Sequence, residues 1–106
     1  MTINGESYSF ERAPEVSFGN VGDVIEIEKK SGDSLFVHEA KLTVDGSSID
    51  VEGISAAVNA QQNSTVTIGS ADTGYLRLEG KNFGVYSRSG STVTLDAGGK
   101  ILLGTT

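Results

Sequence analysis

Two short runs recur along this chain at one fixed distance. Ile49-Asp50-Val51-Glu52-Gly53 returns as Leu76-Arg77-Leu78-Glu79-Gly80, and Ser64-Thr65-Val66-Thr67-Ile68 returns as Ser91-Thr92-Val93-Thr94-Leu95, both at an offset of 27. Val58 falls on Val85 by the same shift. A fainter copy lies upstream, where Ile25-Glu26-Ile27-Glu28 and Leu42-Thr43-Val44 match the two elements at an offset of 24. Ile101-Leu102-Leu103 begins the first element once more. Tyr8 and Val16-Ser17-Phe18 fit the middle and last elements of an incomplete opening coil. Self-similarity at such a period marks a repeat architecture and constrains the fold more than any local propensity.

The spacing inside the repeat is constant. First to last element is the same step of 17 in each full copy (Ile25 to Leu42, Ile49 to Val66, Leu76 to Val93), whereas the step to the next copy is 7, 10 or 8. A rigid unit joined by corners of variable length accounts for both observations. Apolar and polar residues alternate within each element, which is the two-residue period of a half-buried strand. Gly, Asn, Asp and Ser gather between elements, as turns require. The alanines of residues 54–62 invite a helix, but the matching run Phe83-Gly84-Val85-Tyr86-Ser87 is a poor one, so a strand with a turn is expected in both places.

Three short strands in a coil of about 25 residues cannot bury their own apolar face, and stacking on the next coil is the remedy. The expected fold is therefore all-β, a parallel β-solenoid of three full coils with a partial coil at each end, at a strand spacing of about 4.8 Å. The whole of 1–106 forms one domain, with 16–104 as stacked coils and 1–15 as a cap or partial coil. Four interior columns follow from the offsets: Ile25-Ile49-Leu76-Ile101, Ile27-Val51-Leu78-Leu103, Val16-Leu42-Val66-Val93 and Phe18-Val44-Ile68-Leu95. One site breaks the pattern. The middle position of the second coil should fall near Ser34, but the apolar residues are Leu35, Phe36 and Val37, so a bulge or shifted strand is expected there.

Charge narrows the partners. The net charge is −6 with scattered basic residues, which disfavours nucleic acid, because phosphate binding needs clustered Lys and Arg. No apolar run approaches the ~20 residues of a membrane span, and no basic-then-apolar start marks a signal peptide. With no Cys, thiolate metal sites and disulfides are absent.

Four patterns invite a chemical reading. Asp72-Thr73-Gly74 spells the aspartic-protease tripeptide, but that chemistry needs two aspartates sharing a proton and a long flap. The chain beyond it, Tyr75 to Thr106, is taken up by the repeat, and the tripeptide falls in the longest corner, so a turn is the expected role. Glu28, Glu52 and Glu79 form a column of carboxylates ~5 Å apart, expected to be solvated and neutralised by Lys29, Lys30 and Lys81, with a weak cation site as the alternative. Thr65, Thr67, Thr92 and Thr94 should face outward in file with Ser17 and Thr43. This array resembles that of β-helical ice binders, but Lys41 and Glu15 interrupt it and Thr suits exposed strands anyway. His38 stands without a second His or Cys to share a metal. Tyr75, Tyr86 and Arg88 are expected to be exposed or half-exposed, within reach of a sugar or a protein. No catalytic, cofactor or metal residue is assigned.

Residues 64–97 carry a family likeness. Ser64 to Ser70, Leu76 to Gly80, Phe83-Gly84-Val85-Tyr86-Ser87 and Gly90-Ser91-Thr92-Val93-Thr94-Leu95-Asp96-Ala97 resemble coils of bacterial autotransporter passenger domains, with a "GVY" middle strand followed by a "G-x-x-V-x-L-x-A" strand. The likeness is good over 49–104 and loose over 16–48. It implies a right-handed β-helix on the surface of, or secreted by, a Gram-negative-type bacterium, often an adhesin. The missing signal and C-terminal barrel fit a passenger segment with Met1 added. The expectation is a non-enzymatic structural or adhesive module that contacts a host protein or glycan, with either residues 1–15 capping one end or the chain stacking end to end with itself. The alternatives are a carbohydrate-active β-helix, lyase-like or glycan-binding, and an ice binder.

Overall fold

The computed structural model describes residues 2–5, 8–12, 15–28 and 32–105. Their strands are β1 (Thr2–Gly5), β2 (Tyr8–Glu11), β3 (Val16–Phe18), β4 (Val24–Glu28), β5 (Leu35–His38), β6 (Lys41–Val44), β7 (Ser48–Gly53), β8 (Ala56–Gln61), β9 (Thr65–Ile68), β10 (Tyr75–Gly80), β11 (Phe83–Ser87), β12 (Thr92–Leu95) and β13 (Lys100–Thr105). Every third strand joins the same sheet. The first sheet runs β1-β4-β7-β10-β13, the second β11-β8-β5-β2 and the third β12-β9-β6-β3. All pairings are parallel. The fold is a parallel β-solenoid with three strands per coil, and among the described residues there is no helix.

The registers reproduce the four expected columns. Ile25, Ile49, Leu76 and Ile101 are successive partners, as are Ile27, Val51, Leu78 and Leu103. In the third sheet Val16, Leu42, Val66 and Val93 align, beside Phe18, Val44, Ile68 and Leu95. The second sheet adds a fifth column, Tyr8-Leu35-Val58-Val85. Coils two and three bury these positions fully, so the apolar alternation in sequence is the inside–outside alternation of the stack.

Two expectations need amending. The opening coil is complete rather than partial, because β1 pairs with β4 with Ile3 opposite Ile25. The stack thus has four three-strand coils and the first strand of a fifth, and 2–5 is a strand instead of a separate cap. Thr2-Ile3-Asn4-Gly5 resembles no later element closely enough to be found by a repeat search. The irregular second coil is a shifted strand: Leu35, not Ser34, partners Val58. Ser34 is buried one residue earlier, where its hydroxyl donates to the Glu52 carbonyl and its N–H to the Ala56 carbonyl at 3.1 Å. Those bonds tie the corner to the next coil and displace the strand by one position. Within residues 54–62, where alanines suggested a helix, Ala56–Gln61 is the strand β8, so the expected strand is there.

The corner holding Asp72-Thr73-Gly74 is a turn. The Thr73 N–H donates to the Ser70 carbonyl at 3.0 Å, and Thr73 Oγ1 accepts from the Ser70 N–H at 3.0 Å. The first corner repeats this: Asp23 N–H donates to the Asn20 carbonyl at 3.0 Å, and Asp23 Oδ2 accepts from the Asn20 N–H at 2.9 Å. Each follows a glycine of positive φ, Gly19 at 80° and Gly69 at 89°. Thr73 is buried while Asp72 is exposed, so the tripeptide is a corner of the solenoid.

Candidate functional site

A solenoid offers its surroundings three outer faces, and here each has its own chemistry. The third sheet presents Ser17, Thr43, Thr65, Thr92 and Thr94 as exposed residues, with Thr67 half-buried and Lys41 in file with Thr65. The hydroxyl array is real, and Lys41 interrupts it as expected.

The first sheet is acidic. Glu28, Glu52 and Glu79 are partners in register, beside a second column of Glu26, Asp50 and Arg77. Compensation comes from Arg77 in that neighbouring column. Its Nη1 donates to Asp50 Oδ1 at 2.7 Å and lies 3.5 Å from Glu52 Oε2, while Nη2 donates to Glu79 Oε2 at 2.6 Å. The hydrogen bond to Asp50, joined by the charges of Asp50 and Glu79 and opposed by burial, raises the basicity of this guanidinium further. The expected neutralisation by lysine is thus corrected for two of the three glutamates. Among the described residues Lys81 makes no ion pair with this column, and Lys29 and Lys30 lie outside the described residues. Arginine suits the place because its planar fork reaches three carboxylates at once.

The second sheet carries the most elaborate outer face. Two outward columns stand side by side on it: Ser9, Phe36, Asn59 and Tyr86, and then Glu11, His38 and Gln61, continued by Arg88 just past β11. A polar ladder links them. Asn59 Nδ2 donates to Asp33 Oδ2 at 2.8 Å, Gln61 Nε2 to Asn59 Oδ1 at 3.1 Å, and Arg88 Nη2 to Gln61 Oε1 at 3.2 Å. Rings frame the ladder on both sides. Phe36 and His38 lie parallel with centroids 6.3 Å apart, Phe83 stacks on Tyr86 at 4.7 Å, and the Arg88 guanidinium lies 5.8 Å from the Tyr86 ring. Phe36, His38, Asn59, Gln61 and Tyr86 are half-buried, and Phe83 and Arg88 are exposed.

Each amide is held by one bond given and one accepted, so its plane is fixed while its second N–H and remaining lone pair stay unused. Planar amides and a guanidinium between rings that are half-buried, or exposed in the case of Phe83, can meet vicinal hydroxyls and the apolar face of a sugar ring together. Sequence reading grouped Tyr86 and Arg88 with Tyr75 as exposed or half-exposed residues, treated His38 apart, and did not place them on one face with Asn59 and Gln61. The signal for half of the set was present, because Asn59 and Tyr86, and Gln61 and Arg88, are related by the same offset as Val58 and Val85. Phe36 and His38 were hidden by the one-residue shift of β5. Tyr75 lies on the first sheet instead, beside Ser48 and Lys100.

No protein-family model, curated protein or solved structure matches the chain, so the reading of its role rests on this geometry.

Proposed function

We propose that this chain is a non-enzymatic adhesive module, a short β-solenoid of a bacterial surface or secreted protein, whose second sheet engages a glycan. The observation that carries the reading is the ring-framed ladder Asp33-Asn59-Gln61-Arg88 on one flat face. Successive coils offer their groups at the strand spacing of about 4.8 Å, which suits an extended chain of sugar rings lying along the stack. Charge favours a neutral glycan, since the chain is net negative and its first sheet would repel uronate or sulfate polymers. The autotransporter-like strands coincide with β9 to β12, and that likeness supports the extracellular setting and the adhesin role. A passenger segment uses its coils for reach and leaves contact to its faces.

The test is titration calorimetry and an oligosaccharide array with the wild-type chain and Tyr86→Ala. A neutral oligosaccharide bound by the wild type and at least tenfold more weakly by Tyr86→Ala is the expected result. Loss of binding on changing Thr92 and Thr94, but not Tyr86, would move the site to the third sheet and overturn this assignment. Cleavage of a bound polysaccharide, read by product chromatography, would favour the lyase-like alternative.

A further inference from the structure

Asp23 and Asp45 serve the corners they stand in. Asp23 Oδ2 accepts the Asn20 N–H at 2.9 Å, and Asp45 Oδ1 accepts the N–H of Gly46 and the hydroxyl of Ser70, each at 2.8 Å. Bonding the nearby backbone is the usual work of an aspartate in a turn. Asp33, in the corner that leads into β5, does something else. Its Oδ2 accepts from Asn59 Nδ2 of the next coil at 2.8 Å, and its Oδ1 is buried with no hydrogen-bond partner among the described residues. The corner around it is clamped. The Gly32 carbonyl accepts the N–H of Ile54 at 3.0 Å and of Ser55 at 2.9 Å, and the Ser34 N–H donates to the Ala56 carbonyl. Both neighbours of Asp33 are thus tied to the coil that carries Asn59, and the carboxylate is held against that amide.

From Asp33 the ladder climbs through Asn59 and Gln61 of β8 to Arg88, just past β11. An amide has one donor end and one acceptor end, an ionised carboxylate accepts only, and a guanidinium donates only. Turning both amides over would set the Asn59 oxygen against the carboxylate and the Gln61 nitrogen against the guanidinium. Turning one alone would set like groups against each other between the two amides. Opposite charges at the two termini therefore leave a single direction for the whole ladder. The terminal bonds are charge-assisted, roughly twice as strong as neutral ones, and bonds in such a chain polarise one another.

We propose that Asp33 is a positioning residue of the glycan-binding face, setting the direction of both ladder amides from a corner outside the outward columns. The proposal rests on the glycan reading above and adds what the ladder selects. With the direction fixed, the free N–H groups and free lone pairs of Asn59 and Gln61 stand in one order along the face. Neighbouring sugar hydroxyls must accept and donate in the complementary order. An epimer with one hydroxyl moved leaves a ladder group unpaired, which is the costly event in polar recognition.

Nitrogen–proton NMR of the side-chain amides tests the ladder without any glycan. In Asp33→Asn the bonded Nδ2 proton of Asn59 should move upfield, and the Nε2 signal of Gln61, one bond further from the change, should move with it. Arg88→Gln, at an exposed site, should move both signals from the other terminus. Asp45→Asn removes a carboxylate that serves its own turn and should leave both signals in place. Calorimetry with neutral hexasaccharides of glucose, mannose and N-acetylglucosamine then reads the face. A hexasaccharide bound by the wild type should bind Asp33→Asn roughly tenfold more weakly and Asp45→Asn undiminished. A Gln61 signal unmoved by Asp33→Asn, or equal affinity of that variant and the wild type, would overturn the role of Asp33. A wild type that binds none of the hexasaccharides, with the Gln61 signal still moving, would instead overturn the glycan reading and the selection built on it.

Discussion

Arg77 in β10 sits one strand above Asp50 in β7, and its Nη1 donates to Asp50 Oδ1 at 2.7 Å while its Nη2 reaches Glu79 two residues along its own strand at 2.6 Å. One guanidinium thereby links two coils and relieves the repulsion between carboxylates stacked in register. Arg77→Gln should lower stability by about 1 kcal/mol, as expected of a charged network that water partly screens. Urea denaturation at two salt concentrations checks this: added salt should weaken the wild type slightly and strengthen the variant, whose acidic columns are then unrelieved. The pH dependence has a definite sign. A group whose basicity is raised by folding stabilises fully below its unfolded value, and for arginine that lies far above neutrality. Arg77 therefore contributes no step in stability between pH 5 and 9.

Gly53 and Gly80 close equivalent corners, where a Cβ would collide with the carbonyl oxygens of Ala56 and Phe83. Neither has a positive φ, so space and not backbone conformation demands glycine. Gly80→Ala should cost about 1–3 kcal/mol through overpacking. Gly74→Ala, whose Cβ would meet nothing nearer than 3.7 Å, should stay within about 0.5 kcal/mol. Thermal melts of the two variants side by side separate the cases.

Thr73 is buried at its corner, with Oγ1 donating to the Gly46 carbonyl at 2.7 Å and accepting from the Ser70 N–H. Thr73→Val keeps the shape and strands both partners, so a loss of about 1–3 kcal/mol is expected. Asp72→Asn, at an exposed position of the same turn, should leave stability within about 0.5 kcal/mol. Denaturant midpoints of the pair check whether the Asp-Thr-Gly run is a corner.

Position along the stack should matter more than residue type. Leu76 and Leu103 belong to neighbouring columns of the first sheet, but only Leu76 is enclosed. Leu76→Ala should cost about 2–5 kcal/mol, the range for buried leucines, and Leu103→Ala well under half of that. Equal losses would mean that the closing end is covered.

Much of this fold was legible because parallel stacking imposes register. An inward residue must be apolar and must recur wherever a coil passes the same point, so the offsets of 24 and 27 name the columns of Ile49, Val51, Val66 and Ile68 directly. The turn role of Asp72-Thr73-Gly74 was legible for the same reason, from its place in the longest corner. Outward positions carry no such demand, and the patterns there were only half visible. The glutamate column could be read from its offset, but its partner could not, because an arginine fork reaches diagonally into the next column.

The sequence by itself determined the coil, its three-strand composition and the apolar interior, since burial forces a repeating pattern on the residues that face inward. Only the tertiary structure decided that the opening coil is complete, that β5 is shifted by the bonds of Ser34, and that Asp33, Asn59, Gln61 and Arg88 meet on one face. These features depend on corner length and on side-chain reach across strands, quantities that vary from coil to coil while the buried columns stay the same.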